Sequence, residues 1–73
     1  MARVDIVSEV TGKIWKIKVS VGDHVKESDE VLIVESMKME IPVSSSENGC
    51  ILELLVNEGD SIEDGQVVAV LET

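Results

Sequence analysis

An internal repeat constrains the fold of this chain more than any other feature of its sequence. When the sequence is shifted by 37 positions, residues 2–36 align with residues 39–73. The Gly-Asp dipeptide that begins at Gly22 then falls on the one that begins at Gly59. The aligned apolar pairs are Val4 with Ile41, Ile6 with Val43, Ile14 with Ile51, Val19 with Val56, and Val25 with Ile62. We therefore predict two similar half-sheets related by a pseudo-two-fold axis, with the members of each pair buried alike.

The local sequence pattern predicts strands throughout. Residues 31–34 and 67–71 are short runs rich in β-branched side chains, and residues 13–19 combine partial apolar–polar alternation with a basic face. Turn residues separate these runs, and no stretch of ten residues carries an apolar helical stripe with capping residues. We predict one all-β domain over residues 1–73, in which Gly22 and Gly59 adopt positive φ and the aspartate after each bonds the local backbone.

Charge and composition exclude several classes of function. The formal net charge of −9 argues against a nucleic-acid partner, whose phosphates require Lys and Arg. The chain contains no apolar run long enough to span a membrane, and we expect no signal peptide and a cytoplasmic monomer that does not bind membranes. Cys50 has no second cysteine to pair with, and together with the single His24 it falls short of a zinc site.

Only Met37 and Lys38 lie between the two copies of the repeat. The flanking residues 31–36 and 39–44 have strand character, so the dipeptide is expected to form a two-residue hairpin loop; a wider turn that includes Ser36 or Met39 is the alternative. Two-residue loops favour Asn-Gly or Asp-Gly because the turn requires positive φ, and Met-Lys is unsuited to it. Departures from local sequence rules occur at functional sites. The symmetry places this tip and the chain ends at opposite poles.

The side chains of the tip suit recognition by another protein. An exposed lysine is most simply a solubility charge, and a Schiff-base lysine is usually desolvated, which argues against catalysis by Lys38 itself. Met37 and Met39 flank it, and two exposed methionines provide adaptable apolar contacts for a partner. We therefore interpret Lys38 as a residue that a separate enzyme modifies.

Residues 35–40, Glu-Ser-Met-Lys-Met-Glu, resemble the biotin attachment signature usually written Ala-Met-Lys-Met. Over its whole length the chain resembles the biotinyl and lipoyl carrier domains, most closely the short stand-alone biotin/lipoyl attachment proteins of bacilli. The resemblance implies a flattened barrel of two four-stranded antiparallel sheets with pseudo-two-fold symmetry. Ser36 replaces the usual Ala, and the inserted thumb loop of some acetyl-CoA carboxylase carriers has no room between Val19 and Asp23.

The resemblance also implies a function for the tip. A biotin protein ligase would join biotin covalently to Lys38, and the chain would then carry carboxylate between a biotin carboxylase and a carboxyltransferase without catalysing either reaction. Met37 and Met39 match the methionines that mark biotin carriers over lipoyl carriers. Glu35 and Glu63 match glutamates near the ligase, and we expect Glu40 to contact a partner as well.

Three alternatives remain open from the sequence. A lipoyl or dual biotin/lipoyl carrier shares the fold, although lipoyl carriers usually have Asp-Lys-Ala at the tip. A soft-metal site could use the thioethers of Met37 and Met39 with Cys50. An unmodified interaction domain is the third alternative, whereas one histidine and one cysteine give no convincing catalytic dyad or triad.

Four further residues carry expectations of their own. Cys50 is interpreted as a small core side chain, and His24 as an exposed turn residue. Trp15 is interpreted as a packing residue, with a partner contact as the alternative. Pro42 lacks an N–H group and is expected on a sheet edge or facing outward.

Overall fold

The computed structural model describes residues 2–73, and Met1 lies outside the described residues. These residues form eight strands and no helix. The strands are β1 (Arg3–Val7), β2 (Gly12–Ile17), β3 (His24–Val25), β4 (Glu30–Ser36), β5 (Met39–Ser44), β6 (Gly49–Leu54), β7 (Ser61–Ile62) and β8 (Val67–Glu72). No segment of residues 2–73 therefore has the form of a membrane-crossing helix.

The strands form two antiparallel four-stranded sheets, as predicted. One sheet has the order β1-β8-β6-β3 and the other the order β5-β4-β2-β7. A shift of 37 residues converts each strand of one sheet into the corresponding strand of the other. Each sheet combines two strands from each half of the chain, so neither half can complete a sheet alone.

β-bulges recur at equivalent places in the two sheets. The β2–β4 register shifts between Ile14 and Lys16, and the β6–β8 register shifts between Ile51 and Glu53. A bulge adds one residue to one strand and interrupts the regular alternation of side chains. Trp15 is the added residue in the first bulge and Leu52 in the second.

The core lies between the sheets and follows the repeat. The fully buried side chains include Ile14, Val31, Leu32, Val34, Ile51, Ile62, Val68 and Leu71. Four of the five predicted pairs share a burial class: Val4 with Ile41, Ile6 with Val43, Ile14 with Ile51, and Val25 with Ile62. The exception is Val19, which is half-buried whereas Val56 is buried. Val19 lines an open surface groove with Asp29 and Glu30, so water reaches its side chain.

The glycine-aspartate turns are equivalent in geometry as well as in sequence. Gly22 has a φ of 96° and Gly59 a φ of 92°, which confirms the predicted left-handed conformation. The Asp23 carboxylate accepts a hydrogen bond of 2.9 Å from the Ser20 amide, and the Asp60 carboxylate accepts one of 2.8 Å from the Asn57 amide. Both aspartates close their turns in the predicted manner.

The chain ends meet at one end of the molecule. The Ala2 amide donates to the Thr73 carbonyl at 3.3 Å, and the Thr73 amide donates back to the Ala2 carbonyl at 2.9 Å. β5 runs away from the Met37-Lys38 turn and leads to β6, whose Cys50 pairs with Glu72 beside the chain ends. The strand directions therefore separate the turn from the chain ends along the 37 Å long axis.

Candidate functional site

The β4–β5 hairpin ends in a two-residue turn formed by Met37 and Lys38. Ser36 and Met39 are direct register partners, which leaves only these two residues in the loop. Met37 has a φ of 51° and Lys38 a φ of 65°. Positive φ at both central residues is the requirement of a type I′ turn. The two-residue turn predicted from the sequence is confirmed, and the wider alternative is wrong.

This turn places a local energetic cost on the residues at its centre. A residue with a Cβ atom loses roughly 1 kcal/mol or more in the left-handed region, and both Met37 and Lys38 occupy that region. An Asn-Gly turn would form the same hairpin at a smaller cost. The chain therefore carries these two side chains at the tip at the expense of turn stability.

The tip projects its side chains into solvent. Met37 is 92% exposed and Met39 is 63% exposed, and Lys38 is also exposed. Within residues 2–73, Lys38 takes part in no salt bridge. The amine of Lys38 is therefore free to enter the active site of another protein.

A firm base supports the exposed tip. β4 is a central strand, paired with β5 on one side and with β2 on the other. Val34 and Leu32 on β4 are completely buried in the core. Because β4 is fixed by its neighbours and its buried face, the turn is held at a defined position relative to the rest of the molecule.

Two of the three predicted partner-contact glutamates lie beside the tip. Glu35 on β4 and Glu40 on β5 are direct register partners, and both are exposed. Lys13 on β2 is the next residue across the sheet from Glu35. Glu63 lies in the turn after β7, two strands away from β4, which is about 10 Å across a sheet. The structure thus groups Glu35 and Glu40 with the tip and places Glu63 on the far side of β2.

Cys50 is not brought to the methionines of the tip. It lies on β6 in the other sheet, where its register partners are His24 and Glu72, the residue beside the chain ends. Cys50 is half-buried rather than part of the core, and its thiol lies 3.4 Å from the Gly22 carbonyl. The interpretation of Cys50 as a core side chain is wrong, because the position faces outward on β6. No cluster of three His, Cys, Asp or Glu side chains with metal-site geometry occurs within residues 2–73.

Of the other individual expectations, those for His24 and Pro42 are confirmed and that for Trp15 is wrong. His24 is exposed, as predicted, and Pro42 is exposed on the edge strand β5, as predicted. Trp15 is 49% exposed on β2, so its interpretation as a packing residue is wrong. The bulge places both Trp15 and Lys16 on the outer face, so the alternation of residues 16–19 does not extend to Trp15.

Comparison with known proteins agrees with this geometry. The family described as "Biotin-requiring enzyme" matches residues 3–71. The biotin/lipoyl attachment protein of Bacillus subtilis is 40% identical over 63 residues, which cover 86% of this chain and 86% of that protein. The TB7.3 homolog of Mycobacterium leprae, named a biotinylated protein, is 36% identical over 67 residues and 94% of its length is covered.

A solved structure extends the comparison to the fold. The crystal structure of the Kluyveromyces lactis urea carboxylase matches 99% of this chain with a TM-score of 0.93 and 39% sequence identity. This chain spans only 6% of that carboxylase. Homologous domains are thus built into large carboxylases, which are the general kind of partner for a domain of this type.

The two-sheet fold and the exposed hairpin tip define a non-catalytic carrier domain. The chain belongs to the biotin/lipoyl attachment family of biotin-requiring enzymes. Biotin is the cofactor that its relatives favour, and lipoate is a possibility within the family.

Proposed function

We propose that the Lys38 amine is the attachment point for biotin and that a biotin protein ligase forms the bond. The observation that carries this proposal is the position of Lys38 in a solvent-exposed two-residue turn with positive φ at both residues. The turn keeps a lysine where Asn-Gly would be more stable. An exposed primary amine suits amide formation because nothing in its own domain has to move aside.

The attachment chemistry assigns the work to the ligase. Amide formation uses the lone pair of a neutral amine, so the ligase supplies the base that accepts the proton from the nitrogen. The Lys38 nitrogen then bonds to the activated carboxyl carbon of biotin, the bond from that carbon to its activating group breaks, and an amide remains. The domain contributes the position of the amine and leaves the activation to its partner.

The function of the loaded domain is transport over a short distance. Bound biotin supplies the carboxylate-transfer chemistry. The domain carries this cofactor between a biotin carboxylase site and a carboxyltransferase site. Tethering raises the local concentration of the cofactor at both sites without any new contact. The exposed tip, supported by the central strand β4, is consistent with this role because the rest of the domain leaves access to Lys38 open.

Met37 and Met39 are proposed as the apolar contacts that the ligase reads. Both side chains are exposed next to Lys38, and unbranched thioether side chains adapt to the shape of a partner. Glu35 and Glu40 are proposed as partner contacts through basic groups on the enzyme. Glu63 is proposed as a further contact for the same enzyme. It lies in the turn that follows β7, farther across the sheet from the tip than Lys13.

The intact mass of the protein purified from its native host tests this proposal. A mass increase equal to one biotinyl group, located on Lys38 by peptide fragmentation, is the expected result. A protein that gains this group on another lysine contradicts the assignment of Lys38. Loading of the purified domain by a purified biotin protein ligase, with ATP and biotin, gives the same information in a defined system.

Lipoate is the second candidate cofactor. The proposal is supported by the name of the Bacillus subtilis relative, which covers both biotin and lipoyl attachment. The same exposed amine can form an amide with the lipoate carboxyl group. The intact mass separates the two cofactors directly, and a mixed population of masses would indicate a dual carrier.

A further inference from the structure

The two sheets differ in how far side chains cover the middle of their outer faces, and the sheet that carries the tip is the less covered one. In the sheet that does not carry the tip, Val70 on β8 is only 6% exposed. Near it, Arg3 and Glu53 form a salt bridge of 3.1 Å across the outer face. Val70 corresponds by the repeat to Ile33 on β4, which is more exposed. The two sheets thus share a backbone but differ in what covers the middle of their outer faces.

Trp15 is the largest exposed side chain on this uncovered face. It is 49% exposed and is the only aromatic residue of the chain. Trp15 and Lys16 are both exposed at the bulge opposite Ile33, and Ile33 is the register partner of Pro42. We define the Trp15 face as Trp15, Ile33, Pro42, Lys13 and Lys16.

The Trp15 face carries two lysines on a strongly acidic chain, and one of them, Lys13, lies opposite Glu35 of β4. Lys13 and Lys16 lie on either side of Trp15 along β2, whereas the chain as a whole has a formal net charge of −9. The salt bridges within residues 2–73 use Arg3 and Lys18; Lys13 has Glu35 as its register partner, whereas Lys16 lies opposite the apolar Ile33. A complementary surface presents an apolar pocket for the indole and a carboxylate for the Lys16 ammonium group.

We propose that the Trp15 face is a docking surface for the ligase that loads Lys38, and this inference rests on the proposed function. The loaded cofactor reaches other active sites on its arm, but the ligase must bring the lysine amine itself into its active site. The ligase therefore has to contact the domain near the tip. Ile33 is five residues from Lys38, about 16 Å along a strand. That distance lies within a standard interface of about 800 Å² per partner.

Steady-state loading by purified biotin protein ligase tests the docking surface. Trp15→Ala should raise KM for the domain about tenfold and leave kcat unchanged, because the contact serves substrate and transition state equally. Leu52→Ala, at the equivalent bulge of the other sheet, is the matched control and should keep the wild-type KM. Circular dichroism and thermal unfolding verify that each variant is folded.

A charge variant keeps the test valid if Trp15→Ala does not fold. Lys16→Glu changes an exposed side chain and should raise KM about fivefold at low salt, with a smaller effect at high salt. Lys26→Glu, in the turn that follows β3, is the control of equal charge and should leave KM unchanged. Salt dependence separates docking from a general loss of stability.

Trp15 also provides a direct spectroscopic readout. Because the chain has one tryptophan, a domain labelled with 5-fluorotryptophan gives a single fluorine resonance. This resonance should shift when unlabelled ligase is added to the unreactive Lys38→Arg domain. It should stay in place when an unrelated acidic protein is added.

Several outcomes would overturn the docking surface. An unchanged KM in both Trp15→Ala and Lys16→Glu contradicts it, as does an equal rise in KM for Leu52→Ala. A domain that dimerises through Trp15 in sedimentation experiments would assign the face to a second copy. A wild-type domain that is not loaded on Lys38 contradicts the proposed function, whereas normal loading with unchanged KM in the variants contradicts only the docking surface.

Discussion

The two ends of the molecule are built from equivalent residues, but only one of them carries an energetic cost. At the tip, Glu35 faces Glu40 across β4 and β5. At the chain ends, the equivalent residues are Glu72 and Arg3, which carry opposite charges. Like charges directly opposite each other destabilise a pair of strands, and unlike charges stabilise it. The tip therefore combines a repulsive pair with a strained turn, and the chain ends have neither.

This difference indicates which residues are determined by a functional site and which are determined by folding. Both ends use strands and core positions that are equivalent by the repeat, so the fold does not require the unfavourable features of the tip. The cost is confined to residues 35–40, the exposed segment that a partner can reach. The opposite end shows the equivalent strand pairing without a like-charge pair and without the positive-φ turn.

Replacing Lys38 should have the largest effect, because it removes the proposed function of the tip without changing the fold that the two ends share. Lys38→Arg should abolish biotin loading, because a guanidinium does not form the amide under conditions in which an amine does. The unfolding free energy should change by less than about 0.5 kcal/mol, because the side chain is exposed. Streptavidin detection and urea denaturation measure the two quantities. Lys26→Arg is the control. Biotin detected on the Lys38→Arg protein would show that the attachment site is another residue.

Core truncation should show that the two ends are equally important for folding. Ile14 pairs with Val34 towards the tip, and Ile51 pairs with Leu71 towards the chain ends. Both isoleucines are almost completely buried, so Ile14→Ala and Ile51→Ala should each cost about 2–5 kcal/mol. Urea denaturation of both variants should give values within about 1 kcal/mol of each other. A much larger difference would mean that the repeat does not extend to packing.

The sequence was sufficient for the glycine-aspartate turns, which repeat. Gly22, Gly59 and their aspartates could be identified because each occurs twice in the same context. The repeat also contained an unused signal: Ser28, with a φ of 75°, aligns with Gly65, with a φ of 89°. The same comparison could have predicted a left-handed residue at Ser28.

The remaining features depend on tertiary structure that local patterns do not contain. Trp15 was misassigned because the bulge interrupts the alternation of residues 16–19, which taken alone would put Trp15 on the inner face with Ile17. Cys50 was misassigned because a small apolar residue on a strand can face either side. The position of Glu63 depended on the order of the strands, in which β7 lies beyond β2 rather than beside the hairpin. Only the assembled sheets determine these relations.

Changing the methionines should alter the choice of cofactor more than the stability of the tip. In Met37→Asp with Met39→Ala, the apolar contacts for the biotin ligase are lost, and biotin loading should fall about tenfold. Aspartate tolerates the left-handed conformation of position 37 better than methionine, so the hairpin should not weaken. The rates of loading by purified biotin and lipoate ligases should shift toward lipoate. Unchanged biotin loading would assign the methionines to the carboxylation partners.

The smallest expected effect comes from copying the charge pattern of the chain ends into the tip. Glu40→Arg gives the tip the same pairing as Arg3 with Glu72, because it replaces a like-charge pair by an unlike one. The unfolding free energy should rise by about 0.2–1 kcal/mol, the range for exposed cross-strand pairs, and the gain should decrease in high salt. Biotin loading should slow if Glu40 contacts a basic group on the ligase. Arg3→Glu is the reciprocal control: it creates a like-charge pair at the chain ends and removes the salt bridge to Glu53, so it should destabilise the domain without affecting loading. If Glu40→Arg left both stability and loading unchanged, the repulsion at the tip would have no measurable cost, and the contrast between the two ends would rest on the turn alone.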